Sequence, residues 1–378
     1  MSDAALPGGL QIGNVPTWIV GVAAIVLGSL LLAMALLTVG YSLVQYRRRR
    51  RREATREALR PELLDRLYGP DDPDWDAWVE TLSARERTAV ESLLDEYLRQ
   101  LSGSDAAELA ALGSALGIPE RARRRLKRGN TYSRLHALTW LGLLRDPPTL
   151  DVLERHCTGT PRERAAAVRV LYQSGHPELA DRGVDLLLRG TAEEFSVFGI
   201  DTLYRAAESD PGPLFDRAAA DWSEWPPALL QQVLLVVRHL NTVVGGADLS
   251  WVVAALENPE ERTRIEAARA LGGYGWRRSL RDDIDAEALA DDPSPRVRAS
   301  VYRMLGAWGD REAMSTLAAV AAREDDDRAR VAAAEALVPH RDRHAVAPPP
   351  NLAAAWSWAT AHASFDEIAT DVSREHSR

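Results

Sequence analysis

The sequence contains one cysteine and one lysine among its 378 residues. A single cysteine, Cys157, excludes an internal disulfide and a metal cluster held by several thiolates. Positive charge therefore comes almost entirely from arginine, and acidic residues outnumber it. Residues 53–378 contain 40 basic and 54 acidic side chains, a net charge of −14. A general nucleic-acid binder needs a basic face that displaces counterions, so this balance predicts that nucleic acid is not a partner.

Charge is absent from residues 18–44, a run that contains fourteen valine, isoleucine or leucine residues. As a helix, this run would be about 40 Å long, which exceeds the hydrocarbon thickness of a bilayer of about 30 Å. Trp18 stands near one end of the run and Tyr41 and Tyr46 near the other, where aromatic side chains meet lipid headgroups. The pattern predicts a transmembrane helix over residues 17–46.

The apolar run is followed by six consecutive arginines, Arg47, Arg48, Arg49, Arg50, Arg51 and Arg52. Arginine-rich flanks remain cytoplasmic, so residues 1–16 are predicted outside the cell and residues 47–378 inside. A cleaved signal peptide, the alternative, would carry its positive charges before a shorter apolar core. The arginines either serve only as this topology signal or also contact anionic lipid headgroups, at about 1 kcal/mol each close to the surface.

A repeat of about 33 residues is the strongest pattern after the apolar run. Seven copies end in an apolar anchor: Leu141, Leu171, Leu203, Val236, Leu271, Leu305 and Leu337. Apolar residues stand six and, in most copies, three positions before the anchor, and a small residue usually stands four before it. These offsets place one apolar stripe along a helix that a neighbouring helix can approach closely. Because a second helical stretch lies between anchors, each copy is predicted to be a helix pair, and stacked pairs form an α-solenoid.

The anchor spacing of 30–35 residues, the turn Asp-Pro-Ser-Pro-Arg-Val-Arg at residues 292–298 and an arginine seven positions before the anchor together resemble HEAT repeats, in particular the short bilin-lyase-type HEAT-like repeats. The arginine recurs as Arg134, Arg164, Arg264, Arg298 and Arg330, whereas two middle copies carry Ser196 and Leu229. The resemblance implies that these arginines form a structural ladder that pairs with acids or carbonyls of the turns. The expected fold class is all-α, with one N-terminal transmembrane helix followed by an α-solenoid of about seven HEAT-like helix pairs.

The remaining segments are expected to connect and cover the repeats, which occupy residues 129–346. Residues 47–74 are predicted to form an Arg-rich juxtamembrane linker, in which Pro61 breaks or kinks a helix. The ends of a solenoid need polar-faced caps. Residues 75–128 are predicted to form the N-terminal cap, and residues 347–378 a C-terminal capping helix and tail.

Patterns that carry chemistry are weak in this sequence. Cys157 lies in a segment that superficially resembles a phosphatase loop, but the position of the essential arginine, six after the cysteine, holds Glu163. His340 and His344 have helical i, i+4 spacing without a third zinc ligand nearby. The acidic turn at residues 324–327 is expected to be solvated. We therefore expect neither a catalytic site, nor a metal, nor a cofactor.

A partner surface is expected where the anchor helices face outward, at the position two before each anchor. In the middle of the chain Phe198 and Leu234 are apolar at positions of the exposed type, and Trp222 and Trp225 lie in a nearby loop. Exposed apolar patches often mark protein contacts, so these four residues are candidate partner-binding residues. Alternatively, they pack against the irregular middle repeats.

These patterns predict a single-pass scaffold in the cell membrane that binds a membrane-associated protein at the cytoplasmic face. Residues 83–171 also resemble the entry region of bacterial membrane-anchored HEAT proteins, which implies a membrane glycosyltransferase as the client. The alternatives are a tetrapyrrole lyase-like enzyme, implied by the bilin-lyase-type repeats, and a membrane-surface sensor that acts through the arginine block.

Overall fold

A computed structural model describes most of the chain, namely residues 17–69, 73–175, 182–189, 194–241, 246–344 and 347–363. Helices dominate these residues and none of them forms a β-strand, so the all-α prediction is confirmed for this part of the chain. The chain divides into two compact units, an N-terminal unit (Met1–Leu116) and a C-terminal unit (Gly117–Arg378).

The N-terminal unit contains four described helices, α1 (Thr17–Tyr68), α2 (Trp75–Thr81), α3 (Ala84–Leu98) and α4 (Ser104–Ala115). The C-terminal part of α1 packs against α3 and α4, and Leu59 and Leu63 are buried there. The segment predicted as a linker, residues 47–74, is therefore helical as far as Tyr68. Helix α1 also continues through Pro61, because the buried leucines on either side stabilise a turn that lacks one backbone hydrogen bond.

The N-terminal part of α1 has no core to pack against. Its described large apolar side chains between Val22 and Leu43 are 53–73% exposed. Among the described helices, α1 alone is long and apolar enough to cross a membrane, by length and composition. The side chain of Trp18, one of the expected interfacial anchors, lies outside the described residues.

The C-terminal unit is a succession of short helices, which we number α5 to α21 in chain order. They are α5 (Ile118–Arg128), α6 (Thr131–Leu143), α7 (Leu150–His156), α8 (Pro161–Ser174), α9 (Val184–Leu188), α10 (Val197–Ser209), α11 (Gly212–Asp221), α12 (Pro227–His239), α13 (Ser250–Ala254), α14 (Glu261–Gly272), α15 (Arg278–Asp282), α16 (Ala286–Ala290), α17 (Pro295–Trp308), α18 (Arg311–Ala321), α19 (Asp327–Leu337), α20 (Arg341–His344) and α21 over residues 353–363.

The seven anchor helices are α6, α8, α10, α12, α14, α17 and α19, and each packs against the next one along the chain. All seven anchor residues are buried. The intervening helices contact one another less regularly, as α5 with α7, α11 with α13, and α16 with α18. This succession fits an α-solenoid of helix pairs, because every pair shares its core with its neighbours.

The packing moves the inner boundary of the predicted N-terminal cap. Helix α5 falls within the cap predicted over residues 75–128, but it packs against α6 and α7, and its buried Ala122 and Leu126 belong to the core of the repeats. It therefore forms the first half of the first helix pair. At the other end, Ala359 of α21 packs against Val338. The tail after residue 363 lies outside the described residues.

Close approach of the anchor helices gives a testable prediction at Gly306 of α17. A Cβ atom added to Gly306 would lie 2.7 Å from the Cβ of Ala336 in α19. We expect Gly306→Leu to lower the free energy of unfolding by about 1–3 kcal/mol, the range for overpacking a core. Gly246 is the control, because a Cβ atom there meets nothing within 4 Å. Chemical denaturation of both variants measures the effect, and equal midpoints would contradict the close packing.

Candidate functional site

The five recurring arginines bind the turn that precedes their own helix. Each donates to a backbone carbonyl five or six residues earlier in the chain. The pairs are Arg134 with Gly129 (2.7 Å), Arg164 with Thr158 (3.0 Å), Arg264 with Asn258 (2.9 Å), Arg298 with Asp292 (2.8 Å) and Arg330 with Glu324 (2.9 Å). Each guanidinium thereby closes the turn between the two helices of a pair.

Four of these arginines also reach the following helix pair. Three of them bind an acidic residue there: Arg134 with Glu163 (2.9 Å), Arg264 with Asp292 (2.8 Å) and Arg298 with Glu324 (2.9 Å). The fourth, Arg164, donates to the backbone carbonyl of Leu187 (3.2 Å). The guanidinium groups of these four arginines thus connect their own turn to the following helix pair.

Glu324 corrects one expectation drawn from the sequence. The turn at residues 324–327 was expected to be solvated, but Glu324 is only 4% exposed. Its carboxylate accepts hydrogen bonds from Arg298, from the hydroxyl of Tyr302 (2.6 Å) and from two backbone N–H groups of its own turn. Burial raises the pKa of Glu324, but the hydrogen bonds from Arg298 and Tyr302 outweigh it and hold the pKa at about 2. The side chains of Asp325 and Asp327 in the same turn are fully solvated.

A second set of bonds between repeats was missed by the sequence analysis. Three residues, each three positions after an anchor, contact a carbonyl near the end of the preceding anchor helix. The pairs are Tyr274 with Val237 (2.7 Å), Trp308 with Leu271 (3.1 Å) and His340 with Gly306 (2.9 Å). Carbonyls in the last turn of a helix lack the regular donor four residues later. Those of Val237 and Leu271 accept a backbone N–H three residues later, and the side chains add a second hydrogen bond. The recurrence of an aromatic or imidazole ring at this offset was the signal available in the sequence.

The remaining titratable candidates are engaged in the fold. His340 and His344 each contact a backbone carbonyl through Nε2, at 2.9 and 3.0 Å. Among the described residues, no group of three or more His, Cys, Asp or Glu side chains is placed to hold a metal ion. Cys157 is fully buried; burial, and secondarily the charge of Glu163, raises the pKa of its thiol to about 12.

The four predicted partner-binding residues do not form one exposed surface. The outward position predicted for Leu234 is wrong, because its side chain is completely buried. Helix α12 has six buried apolar residues, which span an arc of about 160° at 100° per residue, and Leu234 lies at the edge of that buried face. Trp222 and Trp225 are partly buried and pack against the core. Phe198 alone of the four is exposed, at 45%.

Phe198 belongs instead to a surface that joins α8 and α10. We call this surface the Phe198 patch and define it as Arg169, Tyr172, Val197, Phe198 and Arg205. Val197 is 84% exposed. The guanidinium of Arg169 lies 5.8 Å from the ring centroid of Phe198 and 5.7 Å from that of Tyr172. Arg205 lies 5.8 Å from the same tyrosine ring. The patch therefore combines exposed apolar area with arginines stacked on aromatic rings.

The positions two before each anchor also carry charges of both signs, and several of them pair with neighbouring side chains. Asp201 accepts hydrogen bonds from Arg169 (2.6 Å) and Arg205 (3.0 Å). Arg303 donates to Glu335 of the next anchor helix at 3.3 Å. A row of mutually neutralised charges does not offer a continuous cationic track for nucleic acid.

The arginine block lies within the continuous helix α1. The side chains of Arg47, Arg50, Arg51 and Arg52 are exposed, and those of Arg48 and Arg49 lie outside the described residues. The guanidinium of Arg50 lies 4.9 Å from the ring centroid of Tyr46, one of the expected interfacial aromatics.

Part of the repeat region is similar to a known protein family. Residues 249–338 match the family model of HEAT repeats. The matched segment contains three of the ladder arginines, and it supports a HEAT-repeat protein. HEAT repeats are typically non-catalytic scaffolds that mediate contacts between proteins. No curated protein matches the chain.

The pairing of Glu324 generates a prediction with a defined pH dependence. Its pKa lies below the ordinary value of 4.5, so the ionised carboxylate stabilises the fold above that pH and this stability is lost as the pH falls toward 2. We expect Glu324→Gln to cost about 3 kcal/mol at pH 7, as for a broken buried ion pair, and progressively less at lower pH. Asp325→Asn is the control, and its solvated side chain predicts a change within about 0.5 kcal/mol. Denaturation curves between pH 7 and pH 3 measure both; a cost for Glu324→Gln that does not shrink at low pH would argue against the ionised pair.

The burial of Cys157 generates a second prediction. A pKa raised from 9.0 to about 12 reduces the thiolate fraction at neutral pH about 1000-fold. We expect the folded protein to resist alkylation by iodoacetamide, and the denatured protein to react fully. Mass spectrometry of the modified chain distinguishes the two states, and rapid alkylation of the folded protein would show that the thiol is accessible.

Proposed function

We propose that this protein is a single-pass membrane protein whose α-solenoid scaffold binds a membrane-associated protein at the cytoplasmic face of the cell membrane. The observation that carries the proposal is helix α1, whose apolar half is exposed while its other half is built into a folded unit.

The apolar half of α1 supports membrane insertion because it lacks a protein partner. Thirteen described large apolar side chains from Val22 to Leu43 are more than half exposed. Soluble monomers rarely expose a contiguous apolar surface of this size. Fourteen valine, isoleucine and leucine residues favour insertion by about 4–8 kcal/mol in total. In a bilayer, lipid tails would cover these apolar side chains, and no protein contact would be needed.

The charges beside α1 support the orientation. The arginine block follows the apolar run directly, and the preceding residues hold one charge, that of Asp3. Positive flanks are retained on the cytoplasmic side during insertion. The C-terminal unit therefore lies in the cytoplasm in this proposal, with residues 1–16 outside.

The partner surface that we favour is the Phe198 patch. Tyrosine, phenylalanine and arginine are enriched where protein interfaces carry most of their binding energy. The ladder arginines are engaged within the solenoid, whereas this patch keeps apolar area exposed. Tethering by α1 confines the patch to the membrane surface and so raises its effective concentration near a membrane-bound client. The resemblance to membrane-anchored HEAT proteins suggests a membrane glycosyltransferase as this client.

The proposed orientation predicts a labelling pattern. Because Cys157 is buried, it contributes little background to cysteine labelling. In spheroplasts, an impermeant maleimide should label Asp3→Cys but should label Asp325→Cys only after the membrane is permeabilised. Labelling of Asp325→Cys in intact spheroplasts would place the C-terminal unit outside and contradict the proposal.

The partner surface predicts a position-dependent crosslink. A photoreactive phenylalanine analogue at residue 198 should crosslink to a membrane protein in cells. The same analogue at Trp358, which is similarly exposed at 50%, should not give that product. Val197→Asp should abolish the crosslink while leaving the unfolding midpoint unchanged. An identical product from both positions, or none from residue 198, would contradict a partner at the Phe198 patch.

A further inference from the structure

Helix α5 is a cationic segment in an acidic part of the chain. Six of its eleven residues are basic, namely Arg121, Arg123, Arg124, Arg125, Lys127 and Arg128, and one, Glu120, is acidic. Residues 53–378 as a whole carry a net charge of −14. Positive charge is therefore concentrated on the first helix of the solenoid.

The two faces of α5 have different environments. Ala122 and Leu126 are buried in the core shared with α6 and α7, and Ile118 is buried in the first turn. Four cations lie on the exposed face: Arg124, Arg125, Lys127 and Arg128. At 100° per residue these four positions span an arc of about 160°, less than half of the helix circumference. The apolar face fixes which way the cations point.

The exposed cations lack counterions within the described residues. Arg123, at the edge of the same helix, is bound to Asp146 at 2.6 Å. Within the described residues, no ion pair involves the four cations of the exposed face, Arg124, Arg125, Lys127 and Arg128. Like charges one turn apart on a helix repel one another. Three of the four, Arg125, Lys127 and Arg128, lie in the last turn, where the helix dipole favours positive charge. Their side chains are exposed, so an external anion can still reach them.

The geometry of the face fits an extended anionic surface. Four long side chains on a convex helix do not enclose a small anion, but all four can reach a flat array of charges together. Such an array is the headgroup layer of an anionic membrane, which attracts clustered arginine and lysine. Helix α5 also begins two residues after the end of the unit that contains α1. The acidic remainder of the chain would be repelled by the same surface, so α5 determines which end of the solenoid approaches it.

We propose that the exposed face of α5, formed by Arg124, Arg125, Lys127 and Arg128, binds the anionic headgroups of the bilayer. This inference rests on the proposed membrane insertion of α1. It adds a second membrane contact, made by the solenoid itself. The tether then limits the distance of the solenoid from the bilayer, and α5 sets its orientation there.

The test uses the full chain in lipid nanodiscs, with a donor dye on Tyr132→Cys, an exposed site in the first turn of α6, and an acceptor dye on a trace of headgroup-labelled lipid. Energy transfer should be higher in discs with about 30% anionic phosphatidylglycerol than in discs of neutral phosphatidylcholine. About 0.5 M salt should remove the difference, because it shortens the screening length to a few ångströms. Equal transfer in the two lipid compositions would overturn the proposal.

Two variants of equal charge separate α5 from general electrostatics. Replacing the four α5 cations by glutamine should abolish the lipid-dependent difference. The matched control replaces four other exposed arginines by glutamine, Arg311, Arg323, Arg328 and Arg343, and should preserve the difference. Identical behaviour of the two variants would overturn the proposal. A third result would also overturn it: α5 crosslinks to an acidic protein in cells, the α5 variant loses this crosslink, and the discs show no dependence on lipid charge.

Co-elution of protein and lipid distinguishes this proposal from the one on which it rests. A chain that does not enter the discs would overturn both proposals. A chain that enters them but shows transfer independent of lipid charge leaves α1 as the anchor and removes only the role of α5.

Discussion

The arginine seven positions before the anchor connects the local turn to the next helix pair in four of the seven copies. In Arg264 and Arg298, one guanidinium binds a carbonyl of its own turn and an acidic side chain of the following pair. A planar group with five donors in fixed directions can make both contacts at once, which a lysine cannot. A single short helix pair buries too little apolar area to be stable alone, so the fold depends on contacts between pairs, and this bond reinforces the apolar ones. Helix α10 packs against α12, and α12 against α14, without it.

The contacts that hold the repeats together also distinguish structural residues from residues that are free to bind a partner. The ladder arginines and Glu324 are engaged inside the solenoid, and Cys157 is a buried thiol with a raised pKa. What remains for recognition lies on the outside, in the Phe198 patch, on the face of α5 and along the apolar half of α1. The two proposals together assign a protein, a headgroup layer and a bilayer core to these three surfaces respectively. Each surface would bind its partner through matching polarity, and this role requires no catalytic group.

Periodic features were predictable from the sequence, and features that depend on neighbours were not. The anchors recur at helical offsets, so their burial followed from the pattern. Leu234 occupies an outward offset but is buried, because the buried face of α12 is wide enough to include this position. Glu324 looked like its solvated neighbours in the acidic turn, yet Arg298 and Tyr302 draw it inward. In each case the deciding contact comes from another repeat, which no local window of sequence contains.

The central claim is that α1 crosses the bilayer and holds a folded scaffold at its surface, and alkaline carbonate extraction of cell membranes tests it most directly. High pH strips proteins that are held by charge alone, whereas a helix inserted in the hydrocarbon core stays with the lipid. The full chain should remain in the membrane pellet, and a chain with arginine in place of Leu31 and Leu36 should be released. Release of the unaltered chain into the supernatant would contradict the claim.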